Sequence, residues 1–532
     1  MRLSARGSMT ILPCALAAAI QPLRSQEPAP ERASFYLLLR GDTIFEEREN
    51  RTPTELSGEF RDRLRNVRIT YDAALNASAL VTHVELRTFR SPQGAGDPAS
   101  FTIDGDSIVA KIGDAAPAKI PSIAGAVAVV NPAVGFIEQI VLRARAIGGD
   151  PTSVMVFVIG GPQPLAGTVS RLGADSVRVQ YAGASMDLAV SSTGRVLGGV
   201  IPAQGIRIVR GPAVGSLSAA RATDYSAPPN APYVAEDVVV TTSNGLHLAG
   251  TLTIPRERAL GKAPAIITIT GSGPEDRDEQ SGAIPGYRPF RELADTLGRR
   301  GIGVLRLDDR GVGGSDTGPT SVTSADFAND IRAGIAYLRS RPEIDASRVG
   351  IVGHSEGGII APMVAVGDPK LRALVLMAGS ATKGREIIME QNRYVIDSVA
   401  HLTGAARDAA LAKAGHSVDS LGTLGGWLGF FLAYDPTTAA RQVKTPVLIV
   451  QGETDRQVPP SQAQLLANAF RSGGNRDVTV RMFPATNHLF LADSSGAFAD
   501  ATGALRYTKL PSLRVRPEVL GTIADWLSDR LK

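Results

Sequence analysis

The chain has 532 residues, of which 43% are hydrophobic and 20% charged, and its formal net charge is +4. This length predicts two domains, or three at most, and the composition is that of a soluble globular protein with a real core. The small positive excess is scattered and forms no long basic run, which argues against a nucleic-acid-binding protein.

The first 25 residues have the order of a secretory signal peptide. Arg2 and Arg6 precede an apolar run over residues 9–20, and a polar segment follows. The run is too short to span a bilayer, and we expect no membrane span later in the chain. We therefore expect an exported protein, periplasmic or secreted. Cys14 raises the alternative of a lipid anchor, which its place inside the apolar run disfavours, and a cytoplasmic chain is the other alternative.

Residues 26–210 alternate apolar and polar side chains over short runs separated by glycine and aspartate turns. Examples are LVTHVELRTF at 80–89 and SVRVQY at 176–181. This period of two predicts a smaller, mostly antiparallel β-rich domain. Residues 134–148 have the spacing of an amphipathic helix that would pack on the sheet. His83 stands alone in a predicted strand and is interpreted as structural.

Residues 211–232 are rich in glycine, serine, alanine and proline and are predicted to be a linker. The hydrophobic pattern of the sequence changes after them. In residues 233–532, near-continuous apolar strands alternate with helical patterns. Such strands indicate an α/β domain with a mostly parallel sheet covered by helices on both faces. The Asn-Gly pair at 244–245 predicts a hairpin, and Thr323 with Asp326 predicts a capping box.

The stretch VGIVGHSEGG, 349–358, runs a predicted strand into Ser355 and then into a helix. Gly353 and Gly357 flank the serine, as expected where a strand turns so sharply into a helix that side chains would collide. The pattern predicts a nucleophilic serine. The N–H of Glu356, at the helix N-terminus, is predicted to form half of an oxyanion hole.

A serine hydroxyl is a poor nucleophile without a base, so a histidine is expected later in the chain. His488 stands in a loop after a predicted strand and is preferred, whereas His401 and His416 lie in a polar helical segment. The base in turn needs a carboxylate that orients it. Asp455, in the loop after a buried strand, is preferred to its neighbour Glu453.

The second oxyanion donor is expected in the loop TITGSGPEDRD, 268–278, whose small residues let the backbone approach a carbonyl group. The N–H of Ser272 is the first choice and that of Gly273 the second, and a plain glycine turn is the alternative interpretation. His354, next to the predicted nucleophile, is interpreted as structural support.

Four aspartates near two predicted strand ends suggest a metal site: Asp276, Asp278, Asp308 and Asp309. Nothing in the sequence places them on one centre. We therefore expect no metal and no organic cofactor. These acids and Arg310 are predicted to brace the surrounding loops as a solvated or ion-paired network.

The ordered set of motifs resembles bacterial α/β-hydrolases of the serine aminopeptidase-like and carboxylesterase groups, some of which are exported and carry an N-terminal β-rich domain. The match covers about residues 235–530 and rests on GSGPEDRDE, LDDRGVGGSD, GHSEGG, QGETDRQVP and FPATNHLF. The resemblance implies the α/β-hydrolase fold, with a cap inserted at residues 380–440. The aromatic-rich part of this cap either roofs an acyl pocket or only packs on the body of the domain.

By the same resemblance Ser355 would be the nucleophile, Asp455 the acid and His488 the base of an acyl transfer. Glu356 and Ser272 would form the oxyanion hole. The implied substrate is a small-molecule carboxylic ester with a short acyl chain. A serine peptidase of the aminopeptidase type and a non-catalytic envelope binding protein are the alternatives, and the intact set of three residues argues against the latter. No oligomeric state is predicted.

Overall fold

The structure is a computed structural model. It describes residues 31–39, 42–62, 67–90, 94–96, 98–161, 163–211, 223–257, 261–280, 284, 286–319, 321–423, 425–499 and 506–531. The predicted signal peptide, with Cys14, lies outside the described residues, as do residues 212–222 of the predicted linker. Two separate sheets organise the described part of the chain.

The first sheet contains 16 strands within the described residues. They are β1 Glu31–Leu39, β2 Asp42–Arg51, β3 Glu55–Asp62, β4 Val67–Leu75, β5 Val81–Arg90, β6 Gly94–Ala95, β7 Ala99–Asp104, β8 Ser107–Ile112, β9 Ala118–Pro121, β10 Val127–Val129, β11 Thr152–Val158, β12 Leu165–Gly173, β13 Ser176–Tyr181, β14 Ala184–Val190, β15 Val196–Ile201 and β16 Ile206–Gly211. Their order is β10-β11-β12-β13-β14-β15-β16-β1-β2-β3-β4-β5-β7-β8-β9, with β6 paired to β5.

Most sequential strands in this sheet pair as antiparallel neighbours, whereas β10 and β11 pair in parallel and β9 and β10 lie at opposite ends of the order. A helix, α1 Val134–Ile147, provides the crossover between β10 and β11. Phe136, Ile137 and Ile140 of this helix are buried in one core with the inward side chains of the strands. The amphipathic pattern therefore correctly predicted a helix packed on the sheet, because its apolar stripe has to be covered.

The start of α1 is capped from a distant strand. Glu47 on β2 accepts hydrogen bonds from the N–H groups of Val134 and Gly135, and from the Tyr71 hydroxyl at 2.8 Å. The first N–H groups of a helix lack partners within the helix, so a buried carboxylate satisfies them. His83 on β5 is hydrogen-bonded to Thr102 Oγ1 on β7 at 2.9 Å, which agrees with a structural role.

The second sheet has eight strands within the described residues. They are β17 Tyr233–Thr241, β18 His247–Pro255, β19 Ala263–Ile269, β20 Gly303–Leu307, β21 Ile344–His354, β22 Ala373–Met377, β23 Val447–Gly452 and β24 Val478–Phe483. Their order is β17-β18-β20-β19-β21-β22-β23-β24. The hairpin predicted at Asn244-Gly245 joins the antiparallel strands β17 and β18, and the pairs from β20 onward are parallel.

Nine helices accompany this sheet within the described residues, and those outside the predicted cap cover both of its faces. The nine helices are α2 Pro289–Gly298, α3 Ser324–Ser340, α4 Glu356–Val366, α5 Gly384–Tyr394, α6 Gly404–Gly422, α7 Gly426–Ala433, α8 Thr437–Ala440, α9 Ser461–Ser472 and α10 Pro517–Arg530. Ile267 packs in one core with α3, α4 and α9, whereas its neighbour Ile266 packs in another with α2 and α10. Strands covered in this way read as near-continuous apolar runs, which is why the sequence predicted them.

These two sheets confirm the predicted fold class, an α/β domain with a mostly parallel sheet preceded by an antiparallel β domain. The capping box at Thr323 and Asp326 is also present at the start of α3. Helices α5 to α8 lie between β22 and β23, where the cap was predicted. Among the helices of the described ranges, none is long and apolar enough to cross a membrane.

Candidate active site

Ser355 stands between β21 and α4 in a strained backbone conformation, with φ 52° and ψ −113°. A Cβ atom on Gly353 would lie 2.2 Å from the carbonyl oxygen of Gly357. A Cβ atom on Gly357 would lie 2.3 Å from the carbonyl oxygen of Ile269. Both distances are far below van der Waals contact, so only glycine fits at either position and the serine is forced to the top of the turn.

Ser355, His488 and Asp455 form one hydrogen-bonded chain. Ser355 Oγ and His488 Nε2 are 3.1 Å apart, and His488 Nδ1 and Asp455 Oδ2 are 2.8 Å apart. Asp455 is fully buried and His488 is 4% exposed. The two side chains come from loops after β23 and β24, at the carboxyl edge of the sheet where the loops of parallel strands converge.

The surroundings of Asp455 decide which nitrogen of His488 carries hydrogen. Asp455 Oδ1 accepts the backbone N–H groups of Gln457 and Val458, both at 2.9 Å. Asp455 Oδ2 accepts the side-chain amide of Gln451 at 2.8 Å. A carboxylate with donors on all sides leaves His488 Nδ1 as the donor, so Nε2 is free to accept the proton of Ser355.

The alternatives to Asp455 and His488 that the sequence offered lie away from Ser355. Glu453 is exposed, and so are His401 and His416 in the cap, with His416 Nδ1 bonded to the carbonyl of Ala412 at 2.8 Å. The structure brings none of the three into the chain of hydrogen bonds around Ser355. The preferences for Asp455 and His488 over these rivals therefore agree with the geometry.

On the opposite side of the serine lies the loop after β19. Ser272 lines the same cavity as Ser355 and Glu356, whereas Gly273 lines a separate, smaller cavity with Asp309. Ser272 Oγ also donates a hydrogen bond to Glu356 Oε2 at 2.7 Å. Of the two candidates for the second oxyanion donor, this arrangement favours Ser272.

His354 supports the loop that carries His488. Its Nε2 donates to the carbonyl oxygen of His488 at 3.0 Å, since a carbonyl can only accept, and its Nδ1 is 2.5 Å from Glu279 Oε1. Burial alone lowers the pKa of His354, but the adjacent Glu279 carboxylate outweighs it, and the net pKa is raised. The sequence indicated the support by His354 but gave no sign of Glu279, which is 75 residues away.

Two of the four aspartates in the neighbouring loops form ion pairs. Asp308 pairs with Arg277, with Nη2 and Oδ2 2.8 Å apart, and Asp278 pairs with Arg306 and Arg288. Arg310 pairs with Asp330 at 2.6 Å. The predicted bracing is therefore ion-paired at Asp278, Asp308 and Arg310, whereas Asp276 and Asp309 are held by hydrogen bonds. No group of three or more potential metal-ligating side chains occurs in the part of the chain that the structure describes.

The segment just before β17 is attached to this network. The Tyr225 hydroxyl donates to Asp276 Oδ2 at 3.0 Å, and the guanidinium of Arg277 lies 4.2 Å from the centre of the Tyr225 ring. Arg288 and Arg291 donate to the carbonyl oxygen of Asp224 at 3.0 and 2.7 Å. Part of the predicted linker thus packs against the loops that surround the site.

Asp309 gives a testable effect of pH on stability. Burial raises its pKa to about 8, against hydrogen bonds from the Glu275 N–H and the Thr270 hydroxyl that lower it. An unfolded aspartate has a pKa of about 4, so folding binds a proton between these values and wild-type stability falls as pH rises through that window. In Asp309→Asn the amide oxygen can accept from the Glu275 N–H while the NH₂ group donates to Thr270 Oγ1. This variant is expected to gain up to about 1.4 kcal/mol per pH unit relative to wild type.

Urea unfolding of both proteins at pH 5, 6.5 and 8 measures this difference. Asp345→Asn is the matched control, because hydrogen bonds from Ser347 and Arg348 lower the pKa of Asp345 to about 2. Its difference from wild type is expected to stay constant over the same range, since both states are ionised there. A constant difference for Asp309→Asn as well would contradict the raised pKa of Asp309.

A cavity of about 400 Å³ opens above Ser355. Ser355, Glu356 and His488 lie in its wall, and the cap supplies Ile387, Ile388, Trp427 and Phe431. The rings of Trp427 and Phe431 are stacked, with centroids 5.5 Å apart. Of the two interpretations of the aromatic segment, the structure therefore favours the roof of a pocket. Its size is that of a small-molecule site.

Comparison with known proteins identifies related sequences. Residues 281–501 match the alpha/beta hydrolase family. Esterase EstD of Thermotoga maritima is 27% identical over 257 residues, which are 47% of this chain and 59% of EstD. Thiohydrolase apmlB of Arthrinium phaeospermum is 30% identical over 143 residues, which are 27% of this chain and 42% of that protein. The chain thus spans about half the length of these curated relatives.

Among solved structures, the Pyrococcus furiosus esterase PF2001 aligns with 59% of this chain and 97% of its own, at 17% identity and a TM-score of 0.39. The family match, together with the order of strands and the turn at Ser355, assigns the α/β-hydrolase fold to the C-terminal domain. The fold implied by the sequence motifs is confirmed.

Proposed function

We propose that this α/β-hydrolase is a serine hydrolase that cleaves carboxylic esters with short acyl chains through an acyl-enzyme. One observation carries the proposal: Ser355, the first member of a hydrogen-bonded Ser-His-Asp chain, lies in the wall of a cavity lined by apolar side chains of the cap. The 27% sequence identity over 257 residues to a protein named Esterase EstD supports an ester as the substrate.

In this mechanism, Ser355 Oγ attacks the ester carbonyl while His488 Nε2 takes its proton. The negative charge on the carbonyl oxygen is stabilised by the N–H groups of Glu356 and Ser272. The alcohol leaves with the proton from His488, and water activated by His488 then releases the acid. Asp455 keeps His488 in the tautomer that accepts at Nε2 and stabilises the imidazolium. The mechanism requires no cofactor.

The test is hydrolysis of p-nitrophenyl esters from acetate to laurate, beside aminoacyl p-nitroanilides. We expect turnover of the short esters, and Ser355→Ala is expected to lower it about 10³-fold or more, because the remaining residues cannot form the acyl-enzyme. Ser340→Ala is a matched control, since the Ser340 hydroxyl only donates to the carbonyl of Tyr337 within α3.

Turnover of anilides with inert esters would replace this proposal with the serine peptidase. Inactivity on both, with no covalent labelling of Ser355 by a fluorophosphonate, would support the non-catalytic binding protein instead. Export remains a prediction from the N-terminal sequence. It is checked by N-terminal sequencing of the protein recovered from outside the cytoplasm.

A further inference from the structure

The side chain of Glu356 has contacts that its backbone role does not require. Glu356 is 3% exposed. Its Oε2 accepts the hydroxyl of Ser272 at 2.7 Å, and its Oε1 accepts the hydroxyl of Ser324 at 2.6 Å and the indole N–H of Trp427 at 2.8 Å. These donors come from three elements: the loop after β19, the start of α3 and the cap helix α7.

A buried carboxylate is costly unless it is well paired. The turn at Ser355 needs only the backbone of residue 356, so a small apolar side chain would serve the turn without that cost. The indole N–H can only donate, which fixes Glu356 Oε1 as an acceptor. The carboxylate therefore connects the loop after β19, the start of α3 and the cap helix α7, and the turn itself does not require this connection.

We infer that Glu356 is a positioning residue that sets the geometry of the oxyanion hole and makes it depend on the cap. Its own N–H is one proposed oxyanion donor, and its carboxylate holds Ser272, whose N–H is the other. Trp427 holds the same carboxylate from the cap. The inference rests on the proposed function, because it gives the side chain a role in the same acyl transfer.

The consequence is a specific kinetic signature. With p-nitrophenyl acetate, Glu356→Ala and Trp427→Phe are expected to lower kcat about 10- to 100-fold, less than complete removal of an oxyanion donor. We expect KM to stay within about threefold, because the donors act mainly on the transition state. Glu356→Gln is expected to retain most activity, since its amide oxygen still accepts from Trp427 and its NH₂ group donates to Ser272 Oγ.

A second measurement uses 1-butaneboronic acid. Ser355 Oγ forms a bond to boron, its proton passes to His488, and the boronate becomes a tetrahedral anion like the reaction intermediate. Its inhibition constant is expected to rise about 10- to 100-fold in Glu356→Ala and Trp427→Phe, and to recover in Glu356→Gln. Phe430→Leu is the control on the same helix, because Phe430 stacks on Tyr434 and contacts no atom of Glu356 among the described hydrogen bonds and ring pairs.

An active wild type whose Glu356→Ala and Trp427→Phe variants keep its kcat and its boronate affinity would overturn this inference alone. So would a loss that Glu356→Gln does not rescue, since that pattern describes a charge requirement and not positioning. A wild type that neither hydrolyses esters nor binds the boronate would overturn the proposed function and the inference together. If Glu356→Ala does not fold, the kcat and the boronate inhibition constant of Trp427→Phe and Glu356→Gln test the inference instead.

Discussion

Asp455→Asn is expected to lower kcat on short esters about 10⁴-fold, the size of the effect of the same change in a serine protease of another fold. Two backbone N–H groups bind Asp455 Oδ1, so an asparagine at this position would keep its carbonyl oxygen there and turn its NH₂ group toward His488. His488 Nδ1 would then have to accept. The hydrogen would move to Nε2, which could no longer take the proton of Ser355.

The measurement is kcat and KM on p-nitrophenyl acetate, with circular dichroism to establish that the variant folds. Glu453→Gln is the matched control, because Glu453 is the exposed carboxylate two residues away. It is expected to change kcat by less than about twofold, as a surface substitution away from the reacting atoms. If Glu453→Gln were the damaging change and Asp455→Asn the harmless one, the assignment of the acid would be reversed.

Gly357→Ala is expected to lower the free energy of unfolding by about 3 kcal/mol or more. The added methyl group would lie 2.3 Å from the carbonyl oxygen of Ile269 and 2.8 Å from that of Thr270, both backbone atoms at the end of β19. Either that strand end or the start of α4 has to move. Since the same strand end leads into Ser272, we also expect esterase activity to fall by more than about 100-fold.

Urea unfolding and ester hydrolysis of the same preparation test both parts. Gly367→Ala at the other end of α4 is the control: its φ is −87°, and an added methyl group would lie 3.8 Å from its nearest neighbours. It is expected to change stability by less than about 1 kcal/mol. A Gly357→Ala protein as stable as Gly367→Ala would mean that the turn has more room than the structure gives it.

Local patterns predicted most of the candidate site, and there is a physical reason. The glycines beside Ser355 respond to contacts within one turn, so they leave a signal within ten residues. Asp455 and His488 are far from Ser355 in the sequence, but each follows a buried strand. The loops at the carboxyl ends of parallel strands meet at one edge, so their order along the chain was enough to place them.

The contacts that hold the site in place were not predictable in this way. Trp427 and Glu356 are 71 positions apart, and Tyr225 and Asp276 are 51 apart. Neither pair belongs to a repeating pattern of the sequence. Each of the four residues is also of a type that is common at such a position, so none of them signals a distant partner. Such pairs depend on how the cap and the preceding segment pack on the sheet, which periodicity does not encode.

The contacts of Tyr225 have a consequence for any truncated form of the C-terminal domain. A truncated protein that starts at residue 233, the predicted domain boundary, would lose Tyr225. The Tyr225 ring packs on the guanidinium of Arg277, and its hydroxyl donates a hydrogen bond to Asp276. The truncation would uncover a buried cation and leave the loop that leads to Ser272 with fewer supports. A shortened protein that keeps these contacts has to include Asp224, so we expect it to need at least the nine residues 224–232, which look like a spacer in the sequence.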